Sequence, residues 1–342
     1  MQNYDNYHSM SRKITVFFKN ILKAVIPLAI GLLIFRWVYR EMDFSTIREV
    51  LQKGVHAQWI ILSLFFCAWG EIIRALRWKQ LIIPLSENPR TSNVIFSVFI
   101  NYLINLILPR MGEISRCAVI NKYEKISFTK TIGTLITERI VDLFSLMIVM
   151  LIAFLLQFND FFAFFAREVN WVNNISSLFS SVWLYVGLIV TVFLFWVVWT
   201  QFQEAVFIRK FKQATKNVWT GVKTIRQVNG KFRFGCLTLF LWLIYFLQFY
   251  LCVFAFDFSA NLTPLQGLFI FVMANIGIVI PVQGGIGPWH FMVIRSMVFF
   301  GISGVEAAAF ALLVHGSQMV FSILLGIVGV ITLPLNNKRK RH

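Results

Sequence analysis

Charge is scarce in this chain. Asp and Glu number 15 in 342 residues, and charged residues of both signs make up 14%, where a soluble domain carries about 25%. So little charge excludes a surface wetted by water on all sides. Cysteine is scarce too: Cys67, Cys117, Cys236 and Cys252 stand singly in or beside apolar runs, with no CxxC pair. That pattern excludes a disulfide framework and suggests no cysteine metal site. The sequence holds neither G-x-x-x-x-G-K-[ST] nor HExxH, which excludes a P-loop ATPase and a metalloprotease-type zinc site. No cofactor and no metal are expected, and no residue is assigned a catalytic role.

Long apolar runs are what the chain has in abundance. They fall at 22–38, 59–76, 94–108, 131–157, 182–200, 236–256, 265–282, 286–300 and 305–333. Several approach the roughly 20 residues a helix needs to cross about 30 Å of hydrocarbon. Phe numbers 37 and Trp 11; Trp37, Trp59, Trp78, Trp183, Trp199 and Trp242 sit near run ends, as an aromatic belt does. The first run follows Arg12, Lys13, Lys19 and Lys23 but lacks a small-residue cleavage site, so it reads as a retained first helix. The expected class is an all-α polytopic membrane protein, a single membrane domain over 1–342.

The net charge of +17 does not point to nucleic acid, because the basic residues lie in loops between apolar runs rather than on a soluble face. That placement is the positive-inside pattern. The basic N-terminus, loop 201–235 and the tail Lys338-Arg339-Lys340-Arg341 read as inside. Linker 39–58, loop 159–181 and segment 257–264 read as outside. Both termini are then cytoplasmic, in a bacterial inner membrane. Within 203–229, Phe207, Phe211, Ala214, Val218, Val222 and Ile225 recur at three or four with Lys and Arg between them, which predicts an amphipathic helix on the inner leaflet.

Two stretches do not fit as simple crossings. The run 94–108 rises only about 22 Å, and an inside-type basic segment follows Pro109. It is predicted to enter and return as a re-entrant hairpin that turns at Pro109–Gly112. The stretch 266–300 is interrupted by Pro281-Val-Gln-Gly284-Gly285-Ile-Gly287-Pro288 and must begin and end outside. The result is six full transmembrane helices plus two opposed re-entrant hairpins, in halves of about 20–157 and 182–333. An odd number of crossings per half inverts the second against the first. Broken helices in inverted repeats point to a transporter's binding site.

Ionisable residues within the runs are expensive and mark cavities or pathways. Glu71 with Arg74, then Arg110, Glu113 and Arg116, then Glu138, Arg139 and Asp142 form three clusters. Asn101 with Asn105, and His315 with Gln318, each face one way at helical spacing. Arg110 and Arg116 suit a lipid phosphate through their bidentate forks, against the plainer reading of anchors at the inner surface. Glu138 and Asp142 leave two carboxylates for Arg139, which calls for another cation, with Arg110 or Arg116 nearest in sequence. Gly284, Gly285 and Gly287 allow close backbone approach at the second break, against the plainer reading of turn residues.

Three motifs in order carry a resemblance: Asn105-Leu-Ile-Leu-Pro109-Arg110-Met-Gly112-Glu113-Ile-Ser-Arg116, Glu138-Arg139-Ile-Val-Asp142, and Pro281-Val-Gln283-Gly284-Gly285-Ile-Gly287. With Arg74-Ala-Leu-Arg77-Trp78 they resemble the flippase-like membrane domain of lysylphosphatidylglycerol synthases over most of the chain. The chain departs from that pattern at Gln283, where many members have Pro, and at His290, where many have Glu. No aminoacyl-transferase domain follows the last run, so lysyl transfer is not expected.

The resemblance implies handling of an anionic phospholipid or a polyprenyl-phosphate-linked lipid. The candidate substrate-binding residues are Arg74, Asn101, Asn105, Pro109, Arg110, Gly112, Glu113, Arg116, Glu138, Arg139, Asp142, Pro281, Gln283, Gly284, Gly285, Gly287 and His290. Translocation of such a lipid is the leading expectation. A non-transporting partner of a separately encoded lipid-modifying enzyme, or an integral membrane enzyme acting on a lipid, are the alternatives. Membrane lipids are the expected partners.

Overall fold

The computed structural model describes residues 25–40, 42–85, 88–107, 111–168, 228 and 230–338, and among these every regular element is a helix. All but Val228 of the predicted amphipathic helix at 203–229, and the crossing at 182–200, lie outside the described residues. In chain order the helices are α1 (Val25–Tyr39), α2 (Phe44–Gln52), α3 (Ala57–Ile82), α4 (Thr91–Ile107), α5 (Met111–Glu124), α6 (Phe128–Leu156) and α7 (Phe158–Glu168). After the gap come α8 (Lys231–Val253), α9 (Pro264–Ile278), α10 (Pro288–Phe299) and α11 (Gly304–Lys338).

Among the described residues, four stretches are long and apolar enough to cross a membrane: Ala57–Leu85, Phe128–Leu156, Lys231–Val253 and Gly304–Asn337. α4 and α9 have 17 and 15 residues, or about 26 and 22 Å, short of the hydrocarbon thickness.

Local chemistry sets the ends. Thr263 caps α9, accepting from the Gln266 amide at 3.3 Å while the Gln266 side chain accepts from the Thr263 amide at 2.9 Å, and Pro264 occupies the first helical position. This reciprocal box satisfies donors that a helix start leaves open. Asp43 caps α2 by accepting from the Ser45 amide at 2.9 Å; the Ser45 hydroxyl and amide hold its carboxyl below the ordinary range. At the other end of α9 the chain cannot stay helical, because Gly284, Gly285 and Gly287 have φ of 59°, 77° and 92°. Pro288 then starts α10.

Tertiary hydrogen bonds fix directions. His56 donates its amide to the Ala255 carbonyl at 2.9 Å, so the start of α3 meets the end of α8 and the two run antiparallel. Lys79 at the end of α3 donates to Thr91 at the start of α4 at 3.0 Å. Asn93 in α4 donates to Glu124 at the end of α5, which makes α4 and α5 an antiparallel pair. Asn93 and Asn337 bond each other at 3.1 and 2.9 Å, bringing the end of α11 to the same place. Lys79, Arg90, Lys122, Lys125 and Lys130 therefore gather at one end of the bundle, with His56 and Asp257 at the other.

One apolar core joins α9, α10 and α11 around Phe269, Phe271, Val293, Met297 and Phe310. A second packs Trp78, Val94, Cys117 and Leu135 between α3, α4, α5 and α6. Lipid gives helices no hydrophobic drive to associate, so close approach through small residues matters. Ala307, Ala308, Ala309 and Ala311 are fully buried on α11. Farther along it, a Cβ at Gly326 would lie 2.4 Å from that of Leu103. Leu143, Phe144, Met147, Leu151 and Leu155 on α6 are exposed, a lipid-facing stripe.

The linker 39–58 and the start of loop 159–181 carry helices that charge alone did not signal. α2 has 9 residues and α7 has 11, too short to cross. Tertiary burial holds them: Ile47 packs in the core from α2, Phe161 and Phe164 from α7. Their apolar spacing was hidden by mixed charge in one and by the density of Phe in the other.

Candidate functional site

A cavity of about 430 Å³ lies where the two helix breaks meet. From the first come Tyr102 and Asn105 of α4 and Glu113 of α5; from the second come Pro281, Gly284 and Gly285. α11 closes the wall with His315, Gln318, Met319 and Ser322. The lining is mostly apolar with a few convergent polar groups, as ligand sites are.

The first break is shaped by Asn105 and Gly112. The Asn105 side chain accepts from the Gly112 amide at 2.9 Å, so an α4 side chain caps the start of α5. A Cβ at Gly112 would lie 2.0 Å from the Asn101 carbonyl oxygen, so only glycine fits there. Pro109 and Arg110 lie outside the described residues.

The second break is held from two sides. His315 donates its Nε2 proton to the Gly284 carbonyl at 2.8 Å, pinning the turn to α11. Gly287 presses on α1, where a Cβ would come within 2.7 Å of the Gly31 carbonyl oxygen. His290 does not face the cavity. It is buried, accepts at Nδ1 from the Gly287 amide at 3.4 Å, and meets His315 with ring centroids 4.6 Å apart. Phe35 and Tyr39 of α1 pack edge-on against it. Gln283 is buried at the same break.

Beside the cavity, inside the bundle, lies a continuous ion-pair network. Arg116 reaches Glu138 at 2.6 Å and Arg77 reaches Asp142 at 2.5 Å. Arg77 also approaches Glu138 at 3.4 Å. Arg139 bridges Glu113 at 3.3 Å, Glu138 at 3.3 Å and Asp142 at 3.6 Å, while Arg74 stands 4.0 Å from Asp142 and donates to the Tyr245 hydroxyl at 2.9 Å. Arg116 lies over the Trp78 ring at 4.4 Å, a cation–π contact that stands in for lost water. Trp78 is fixed by its indole N–H to Thr134 at 3.0 Å.

Of the residues predicted for the site, Asn105, Glu113, Pro281, Gly284 and Gly285 line the cavity. Arg74, Arg116, Glu138, Arg139 and Asp142 form the network, and Glu113 belongs to both. Arg116 is turned into the protein, bonded to Glu138 rather than open to a phosphate. Asn101 is buried, and its Oδ1 atom has no partner among the described residues. The cation expected for the two carboxylates is Arg116 for Glu138, whereas Asp142 is held by Arg77. Arg77 stood out in sequence only within the motif Arg74-Ala-Leu-Arg77-Trp78, and Tyr102 and Tyr245 gave no signal, since a tyrosine in an apolar run is ordinary.

Residues 24–326 match the family described as Lysylphosphatidylglycerol synthase TM region. The chain belongs to this family. It is a polytopic membrane protein of the lysylphosphatidylglycerol synthase TM region, and the match runs from α1 through most of α11. It is also similar to a UPF0104 membrane protein of Pyrococcus horikoshii, 26% identical over 141 residues, which are 40% of this chain and 41% of that relative. The chain thus aligns with less than half the length of this curated relative. No solved structure matches.

Proposed function

We propose that this member of the family binds a lipid head group in the cavity between the two breaks and carries it across the membrane while the acyl chains stay in lipid. The observation that carries the reading is the meeting of both helix breaks at one cavity of about 430 Å³, as midplane sites of transporters are built from discontinuous helices. The head group is an anionic phosphate, on a phospholipid or a polyprenyl carrier, met at the wall by amide, hydroxyl and imidazole groups.

The same reading treats α4–α5 and α9–α10 as re-entrant hairpins of an inverted repeat with six crossings. Packing supports it: α11 of the second half packs on α4, and α6 of the first half packs on α9, an exchange expected of related halves. The basic residues gathered at one end support cytoplasmic termini in an inner membrane.

The test is transport of fluorescent phosphatidylglycerol, labelled in one leaflet of proteoliposomes holding the purified chain. Wild type should equilibrate the label between leaflets, and Ser322→Trp, which fills the cavity from α11, should slow it at least tenfold at equal protein level. A wild-type rate equal to that of protein-free vesicles would overturn the proposal.

A further inference from the structure

Among the described residues, Glu71 is the charged residue of this region that the ion-pair network leaves out. Every other member has an opposite charge within 4.0 Å: Arg74, Arg77, Arg116 and Arg139 with Glu113, Glu138 and Asp142. Glu71 is 7% exposed on α3 and has no such ion pair among the described residues. Its Oε2 atom has no hydrogen-bond partner among the described residues, and its carboxyl bonds the Tyr102 hydroxyl. Tyr102 in turn lines the cavity. One buried carboxyl therefore touches the cavity wall through a single hydroxyl, with Arg74 on its own helix acting on it from beyond ion-pair distance and no described cation in contact with it.

We propose that Glu71 is a proton-binding site linked to head-group binding in the cavity. This rests on the lipid reading above. A carboxylate buried without a cation carries a heavy desolvation cost and takes up a proton instead; intramembrane carboxyls of this kind serve as proton relays. Charge counting gives the linkage its sign. With Glu71 ionised, the four arginines and four carboxylates of the described network cancel. With Glu71 neutral, one positive charge is in excess beside the cavity. A phosphate therefore binds better to the protonated form, and by reciprocity its binding draws a proton onto Glu71.

The groups around Glu71 set no rival path. Arg74 and Cys67 share its helix, Tyr102 faces it from α4, Arg116 from α5, Arg139 from α6 and Tyr245 from α8. The arginines stay charged, and Arg116 and Arg139 are committed to Glu138 and Glu113. His315, Glu113 and Tyr102 are the titratable groups among the described residues of the cavity wall; His315 is bonded to the Gly284 carbonyl and Glu113 is paired with Arg139, and the variants below separate them from Glu71.

Short-chain phosphatidylglycerol is titrated calorimetrically into the full chain in maltoside micelles across a pH series, in two buffers of different ionisation enthalpy. Wild type should take up about one proton per lipid bound, with affinity falling by about tenfold per pH unit above the transition. Glu71→Gln should bind as wild type does at low pH, with no proton uptake and a flat profile. Glu71→Asp should keep the profile with its midpoint moved. If Glu71→Gln fails to fold, an unmoved midpoint in Glu71→Asp overturns the assignment. A slope that survives Glu71→Gln assigns the proton to another group of the cavity wall, His315 or Glu113, and overturns it as well, as does tight wild-type binding without proton uptake. Absence of wild-type binding at every pH would sink the lipid reading itself, and this proposal with it.

Discussion

Arg77 and Arg116 keep their guanidinium groups inside a membrane protein by sharing Glu138, at 3.4 and 2.6 Å. Both arginines and Glu138 are fully buried or nearly so. Leaving one partner of such a pair alone costs about 3–5 kcal/mol. Arg77→Gln and Asp142→Asn should each lower thermal stability in micelles by that amount, and the double variant should lose clearly less than the sum, because partners in contact are non-additive. Additivity would mean that the 2.5 Å contact contributes nothing.

The sequence displayed the need for this network, two carboxylates and one arginine at helical spacing on α6, but not its full membership. Arg77 lies 65 residues from Asp142, and only helix packing decides that they meet. A different residue-scale test concerns Lys125, exposed with φ of 62° at the end of α5. A side chain is strained in that conformation, so Lys125→Gly should stabilise by about 1 kcal/mol. Unchanged or lowered unfolding temperature would contradict this.

The helical pairs were legible because their signals are local. A run too short to cross, followed by Pro109 and a basic stretch, required a return, and the glycines of 284–287 required a break. The capping of α5 by Asn105 and the pinning of Gly284 by His315 were not legible, since they depend on side chains meeting across a turn and across helices. Glycine substitution separates the two kinds of position. Gly112→Ala should prevent α4 and α5 from closing, because its Cβ would sit 2.0 Å from the Asn101 carbonyl oxygen. Gly133→Ala on α6 meets nothing within 4 Å and should stabilise by roughly 0.5–1 kcal/mol through lower chain entropy. Thermal unfolding of both variants checks the contrast, and equal stability would mean that the approach of the two helices is looser than this.

Across the whole molecule, the membrane class and the lipid-facing stripes followed from scarce charge and long apolar runs. What composition could not give was the convergence of both breaks on one cavity, because 150 residues or more separate Glu113 from Gly284 in sequence and only the packing of α11 against α4 closes the distance. This cavity should hold water when empty and a lipid head group when filled, while the opposite face of α11 sees only acyl chains.

Substituted-cysteine labelling tests that most directly. In a Cys236→Ser background, since Cys236 is the exposed native cysteine, Ser322→Cys faces the cavity and Val320→Cys, 58% exposed, faces lipid. A water-soluble thiol reagent should modify Ser322→Cys in phosphatidylcholine proteoliposomes, more slowly once phosphatidylglycerol is added, and should leave Val320→Cys unmodified. Equal labelling at both positions, or no labelling at Ser322→Cys, would contradict a hydrated head-group site between the two breaks.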